Sequence, residues 1–241
     1  MEKGEYKDTF DAVRAGVVEF LGGDDSGHGM DHIDRVEAMT MRFCEHFKGE
    51  VDANIARLAA LLHDVDDYKL VGHEKAAKLA NATSIMAETG VGEVTSERVK
   101  EIIQTMGYRN ALNGIRPSSI EGMIVSDADM CDGMGVSGSF RSVIYAVSSK
   151  GSGVVFDKDM WPLENMTASQ YNANGTTHDT DSAINYFFEK LLKLKDMMIT
   201  DMGKREAEER DAIMIELLRH YFREQNTPEW SDFLEEYLAK R

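Results

Sequence analysis

The sequence predicts an all-α protein: a single helical-bundle domain, spanning residues 1–241, of about nine to eleven helices. Three observations carry this reading. Apolar side chains recur at three- and four-residue intervals through most of the chain. Only 3 prolines interrupt the 241 residues, and helix formers are plentiful. No stretch alternates apolar and polar residues as a half-buried strand would, and no internal repeat or low-complexity linker divides the chain.

The first periodic segment is 8–21, with Phe10, Val13, Val17, Val18 and Leu21 on one face. Gly22-Gly23 stops it, and the polar segment Asp24 to Met30 reads as a loop. A second helix is expected over 31–47, where Ile33, Val36, Thr40, Phe43 and Phe47 keep core spacing. Cys44 falls within this pattern as a small core residue. A third is expected over 52–64, burying Ile55, Leu58, Ala59, Leu62 and Val65, and a fourth over 74–88. Thr95 or Ser96 is positioned to cap a helix reaching Met106. The segment 107–117 reads as a loop. Ser118 or Ser119 then caps a helix that runs through Ile120, Met123, Ile124 and Val125 into an acidic stretch.

A short helix follows at 139–148. Residues 150–178 are glycine-, asparagine- and threonine-rich, and a loop of that length in a compact domain is expected to act as a cover over a site. The last third returns to helix. Ile184, Phe187, Phe188, Leu191, Leu192 and Leu194 form one face, 204–224 another periodic run, and Pro228 opens a final helix holding Trp230, Phe233 and Leu238. The 15 methionines suit irregular gaps between helices.

Polar residues interrupt the apolar pattern at particular places. The run Leu58-Ala59-Ala60-Leu61-Leu62 ends in His63-Asp64. Burying either side chain is costly unless it is paired, and a divalent cation would accept both an imidazole nitrogen and a carboxylate oxygen. A plain helix end, with Asp64 exposed and His63 hydrogen-bonded, is the alternative. His32 sits in the first turn of its helix beside the apolar stripe, three residues before Arg35. Asp64, Asp66 and Asp67 crowd three acids into four positions, which repel unless a cation or proton separates them. A second apolar-to-acid junction holds Asp127, Asp129 and Asp132. In a helix Asp127 and Asp129 point about 200° apart, so they cannot share one site, whereas Asp132 can share the face of Asp129.

Charge and cysteine content limit the partners. Lys and Arg number 27 against 43 Asp and Glu, and the net charge of −16 disfavours binding to a nucleic-acid polymer or an acidic membrane. It leaves room for a small phosphorylated substrate, because a metal and a few local cations can reverse the field in a pocket. Two cysteines make no disulfide framework and fit a reducing compartment. With no apolar leader and no membrane-length apolar run, a cytoplasmic protein is expected, as monomer or homodimer.

The order H … HD … D, with His28-x-x-x-His32-Ile33-x-Arg35-Val36, Leu61-Leu62-His63-Asp64-x-x-Asp67-Tyr68-Lys69, Asp127-Ala128-Asp129-x-x-Asp132-x-x-Gly135 and Ile184-Asn185-x-Phe187-x-Glu189-Lys190-Leu191-Leu192-Lys193-Leu194-Lys195-Asp196, resembles the HD-domain superfamily of metal-dependent phosphohydrolases, in particular a bacterial single-domain subgroup. The resemblance covers roughly residues 25–225 and implies one divalent metal held by His32, His63, Asp64 and Asp129. Asp129 is preferred to Asp127 because the family ligand follows the alanine. Two imidazoles and two carboxylates suit Mn²⁺, the family's usual ion, or Mg²⁺, Fe²⁺ or Ni²⁺, better than a closed structural zinc.

The same resemblance implies that Asp67 orients or deprotonates the attacking water, that Arg35 and Lys69 lie near substrate phosphates, and that His28, Lys190 and Lys193 contribute to substrate binding. It implies hydrolysis of a phosphate ester or anhydride of a nucleotide by metal-activated water, as in nucleoside triphosphate pyrophosphohydrolases. A phosphomonoesterase, a phosphodiesterase and a non-catalytic metal-containing nucleotide sensor are the alternatives. The sequence departs from the pattern twice. Close relatives carry a histidine within the segment matching Ile102 to Gly107, and often another where Tyr186 stands; this chain has neither. His73 and His178 take no part in the motifs and read as surface or loop residues.

Overall fold

The computed structural model describes residues 3–21, 29–148, 151–163 and 182–241, apart from the side chains of residues 3–7, Tyr68, Lys69 and His73. Among these residues all regular structure is helical, as the sequence predicts. None of the helices is long and apolar enough to cross a membrane. The chain forms two compact units: Met1–Asp132 with Ile199–Gly203, and Gly133–Met198 with Lys204–Arg241.

The first unit contains α1 (Lys3–Leu21), α2 (Met30–His46), α3 (Ala53–Leu62), α4 (Tyr68–Val71), α5 (His73–Lys78), α6 (Ala80–Glu88), α7 (Glu93–Thr105), α8 (Tyr108–Leu112) and α9 (Ile120–Asp132). Its centre is the mutual packing of α2, α3 and α9. Ile33, Val36 and Phe43 from α2 meet Leu58, Leu61 and Leu62 from α3 and Ile124, Val125 and Ala128 from α9, all buried. Asp52 caps α3: its Oδ1 accepts the N–H groups of Asn54 at 3.1 Å and Ile55 at 3.4 Å. Ser119 caps α9, its hydroxyl accepting the N–H of Gly122 at 3.2 Å. The helix then continues without a break through the acidic stretch to Asp132.

Three local expectations are corrected. The helix anticipated over 74–88 is two helices, broken at Leu79, which adopts left-handed φ of 46° and is the C-cap of α5 and N-cap of α6. Nothing at Lys78-Leu79-Ala80 signals a break. Its partner is remote: the buried carboxylate of Asp66 accepts the N–H groups of Asn81 at 3.0 Å and Ala82 at 2.8 Å, capping α6 from 15 residues away. Helix α7 starts at Glu93 from Gly92, so Thr95 and Ser96 lie inside its first turn rather than at its cap. The segment 107–117 contains the short helix α8.

Asp127 ties the separate strand of sequence Ile199–Gly203 into this unit. It is fully buried, and its carboxylate accepts the N–H of Ile199 at 2.9 Å, the N–H of Thr200 at 2.7 Å and the Thr200 hydroxyl at 2.7 Å. Burial pushes this carboxyl above the usual carboxylate range, and those donors pull against the shift. Gly203 closes over it so tightly that an added Cβ would lie 2.3 Å from Asp127 Oδ2.

The second unit contains α10 (Gly135–Val147), α11 (Ala183–Glu189), a 3-10 segment (Leu191–Met197), α12 (Asp201–Gln225, entering this unit at Lys204) and α13 (Pro228–Ala239). The apolar run expected as one helix over 184–195 leaves α geometry at Lys190. The tighter 3-10 winding puts Leu191 and Leu194 on one face, and both are buried with Leu192. Trp230 is the centre of an aromatic cluster with Phe156, Phe188 and Phe222, and its ring stacks on Trp161 at 4.4 Å. Its indole N–H donates to the Lys158 carbonyl at 3.0 Å. Residues 151–163 of the long irregular stretch are therefore packed within this unit; 164–178, on which the expected cover depends, lie outside the described residues.

Two outcomes follow from this packing. Gly203→Ala, which would stabilise an ordinary exposed helix, is expected to lower unfolding free energy by about 1–3 kcal/mol in urea titrations, because the Cβ must displace a pinned carboxylate. Cys44 and Cys131 are both buried, and burial, with Glu121 and Asp52 adding to it, pushes the Cys44 thiol up to about 11. Neither cysteine is expected to react with a thiol reagent in the native protein at neutral pH, and both should react in denaturant.

Candidate metal centre

The site is assembled from three helix ends in the first unit. Gly29 precedes α2 in an extended conformation and its carbonyl accepts the N–H of His32 at 3.0 Å, starting the helix with His32 in its first turn. The apolar face of α3 is spent at Leu62, where the chain bends through His63 and Asp64. Helix α9 presents Asp129 one turn before its end.

These side chains converge. Nε2 of His32 lies 3.2 Å from Nε2 of His63, 3.4 Å from Asp64 Oδ2 and 3.5 Å from Asp129 Oδ1. Nε2 of His63 lies 3.5 Å from Asp64 Oδ1 and 3.7 Å from Asp129 Oδ1. His32 and His63 are buried, and Asp129 is the most accessible member, with a side-chain exposure of 25%.

The outer nitrogens decide what the inner ones are. His63 Nδ1 is 2.8 Å from the carbonyl oxygen of Ala60, which only accepts, so Nδ1 carries the proton. His32 Nδ1 is 2.7 Å from the Asp132 carboxylate and is assigned its proton on the same ground. In the neutral rings both Nε2 atoms then present lone pairs, 3.2 Å apart and beside two carboxylates. Four electron-rich groups facing one another repel unless a cation or a proton lies among them. Ligand atoms of His32, His63 and Asp129 all fall within 4.8 Å of one another, a spacing that one metal ion fits. The donor set of imidazoles and carboxylates is that of a divalent transition metal.

The neighbouring acids have separate partners. Asp127 and Asp132 flank Asp129 on α9, and the helix turns Asp127 away to Ile199 and Thr200 while Asp132 stays near the face of Asp129. Asp66 caps α6. Asp67 is half-buried one turn beyond Asp64, its N–H donating to the Asp64 carbonyl at 3.0 Å. Asp132 is the residue that sequence reasoning left without a role. It is fully buried and accepts from His32 Nδ1, from Arg35 Nε at 2.7 Å and from Arg35 Nη2 at 3.2 Å. Its position three residues after Asp129 was the available signal. The Arg35 guanidinium, expected near phosphates, hydrogen-bonds Asp132 and, at 2.8 Å, Asp31; hydrogen bonding to Asp132 raises its pKa further.

His28 and the side chain of Lys69 lie outside the described residues. Lys190 and Lys193 belong to the second unit, where the Lys190 ammonium sits 5.3 Å above the Tyr186 ring. The segment in which a histidine was missing passes beside the cluster. Gly107, with φ of 84°, donates its N–H to Ser126 Oγ at 3.2 Å, and a Cβ on it would be 3.7 Å from Asp129 Oδ2. Met106 beside it is buried.

Divalent metal is expected to raise the melting temperature of the wild-type protein, by linkage worth about 2.7 kcal/mol at a hundred times the dissociation constant. His32→Ala and Asp129→Ala should lose that increment, and stoichiometric metal with it, in calorimetry and elemental analysis.

Comparison with known proteins gives the same chemistry a family. The sequence pattern of the HD domain matches residues 29–134, which include all four clustered residues. The uncharacterized protein YpgQ of Bacillus subtilis (strain 168) is 33% identical over 208 residues, covering 86% of this chain and 89% of YpgQ. Its crystal structure in complex with ADP superposes with a TM-score of 0.66 at 28% identity, covering 89% of this chain and 97% of that one. A crystal structure from Lactobacillus plantarum gives a TM-score of 0.72 at 29% identity over 96% of this chain and 99% of its own. An HD-superfamily hydrolase from Bacillus thuringiensis gives 0.67 at 31% identity over 92% and 98%. HD domains bind divalent metals, and with a buried cluster of histidine and aspartate at the position of that motif this chain belongs to the HD domain family.

Proposed function

We propose that the protein hydrolyses a phosphate anhydride or ester of a nucleotide, in the manner of a nucleoside triphosphate pyrophosphohydrolase, with Mn²⁺ held by His32, His63, Asp64 and Asp129. The observation that carries the reading is the approach of the two histidine Nε2 atoms to 3.2 Å beside the carboxylates, a donor set that a divalent cation would satisfy. The HD-superfamily hydrolase fold supports phosphohydrolase chemistry in general. The ADP complex of YpgQ supports a nucleotide in particular.

A divalent ion in this position supplies Lewis acidity toward a phosphoryl oxygen and makes nearby water more acidic. The chain supplies the rest. His63 and His32 are held in fixed tautomers by Ala60 and Asp132, so no reorientation is needed when the ion binds. Asp67, one turn past Asp64, takes the proton of the attacking water. The water oxygen joins phosphorus as the bond to the leaving oxygen breaks; from an anhydride that oxygen departs in pyrophosphate or phosphate, and from an ester it takes up a proton and departs as an alcohol. The family resemblance is what supports roles for Lys69, Lys190 and Lys193 in offsetting phosphate charge and for His28 in substrate binding. The substrate is a small phosphorylated molecule, no nucleic-acid polymer or membrane takes part, and the reaction is cytoplasmic.

The passage of Met106-Gly107 beside Asp129, where relatives would place a histidine, favours a second reading, a metal-containing sensor that binds a nucleotide without turning it over. A panel of nucleoside mono-, di- and triphosphates incubated with Mn²⁺-loaded protein separates the two. Released pyrophosphate or phosphate, lost in both His63→Ala and Asp64→Ala, is the expected result. Saturable binding with no product would establish the sensor instead, and wild-type turnover in both variants would overturn the assigned centre.

A further inference from the structure

We propose that Arg35 and Asp132 are positioning residues of the metal centre, an arm that orients His32, and that Arg35 is not a phosphate ligand. The inference rests on the metal reading above and concerns residues that reading leaves without a role.

The geometry begins with Asp132. It is fully buried at the end of α9, so its charge needs partners. Donors from one face of α2 meet it. Arg35 Nε meets Oδ1 at 2.7 Å, Arg35 Nη2 meets Oδ2 at 3.2 Å, and His32 Nδ1 meets the same Oδ2 at 2.7 Å. The Nε and Nη2 edge of a guanidinium is one of its two forks for a carboxylate or phosphate, and here that edge is filled. The Nη1 corner of the other edge is engaged by Asp31 at 2.8 Å. His32 and Arg35 are three apart on α2, so one carboxylate from α9 reaches both.

A phosphate could take the inner fork only by stripping two donors from the fully buried Asp132. The same carboxylate sets the tautomer of His32, which keeps its Nε2 lone pair aimed at His63, Asp64 and Asp129. Arg35 thus acts on the centre through Asp132 and His32. Its charge also offsets one of the acids gathered there, which leaves the inner carboxylates to the cation. Lysine cannot substitute, because a single ammonium cannot span both Asp132 oxygens as the fork does.

The test separates metal affinity from nucleotide affinity. Mn²⁺ binding is measured by competition with a fluorescent chelator, and ADP binding by calorimetry at saturating Mn²⁺, for wild type, Arg35→Met, Arg35→Lys and Asp132→Asn. The three variants are expected to weaken Mn²⁺ by about 10- to 100-fold, as loss of an outer partner of a ligating histidine does, with Lys failing to restore it. ADP affinity should stay within about twofold of wild type once the metal is saturated, since no phosphate contact has been removed. Long-range ¹H–¹⁵N spectra of metal-free protein labelled at histidine give a second readout. His32, assigned by loss of its signals in His32→Gln, should be Nδ1-protonated in wild type and lose that preference in Asp132→Asn.

Unchanged Mn²⁺ affinity with a large loss of ADP affinity in Arg35→Met would make Arg35 a phosphate ligand and overturn the inference while sparing the metal centre. An unchanged His32 tautomer in a folded Asp132→Asn protein would overturn it as well. Absence of Mn²⁺ binding by the wild type would overturn the metal reading and this inference together.

Discussion

Asp64, Asp66, Glu121, Asp127 and Asp132 are buried in the first unit, and each must find donors or a cation before apolar helices can close around it. Much of the architecture is the set of solutions to that requirement. Asp66 is satisfied by the exposed N–H groups at the start of α6, and a helix breaks to supply them. Glu121 accepts the N–H of Asp52 at 2.9 Å and pairs with Arg98 at 3.2 Å, which fastens the start of α3 to α9. Asp127 gathers Ile199 and Thr200 from the far side of the sequence. Asp132 takes Arg35 and His32. Asp64 has the imidazoles of His32 and His63 before it, with Asp129 beside them, and both rings turn lone pairs inward.

Helix α9 distributes these tasks by rotation alone. Residues two apart point in nearly opposite directions and residues three apart share a face. Asp127 therefore serves the chain returning at residue 199, Asp129 serves the cluster, and Asp132 stands behind it. Fewer than two turns of helix thus hold a structural anchor, a member of the cluster and a partner of His32. Moving the register by a single residue would exchange these roles, which is a stringent constraint on a segment whose composition reads only as acidic.

The chemistry of the centre is set as much by what stands behind the ligands as by the ligands. Neutral histidine has two tautomers of similar energy in water, and only one offers Nε2 as a donor to a metal. The carbonyl of Ala60 and the carboxylate of Asp132 select it. Asp132 also takes the fork of Arg35, three residues after His32 on α2. On the other side, Gly107 passes close to Asp129 with no side chain of its own.

Helical class, the approximate span of most helices and the order of the polar interruptions were legible from the chain, because 3.6-residue periodicity is a local property and an apolar run ending in His63-Asp64 is conspicuous. The separation of Asp127 from Asp129 was legible for the same reason. The break at Leu79, the change of winding at Lys190 and the start of α7 at Gly92 were not, since their causes are a carboxylate 15 residues away, a burial pattern, and a cap with no side-chain signal. Sequence by itself determined which residues were available to bind a metal. Tertiary structure alone decided that Asp132 bonds to both His32 and Arg35, because a hydrogen bond between residues 97 or 100 positions apart depends on how α2 and α9 pack, and no local pattern encodes that distance.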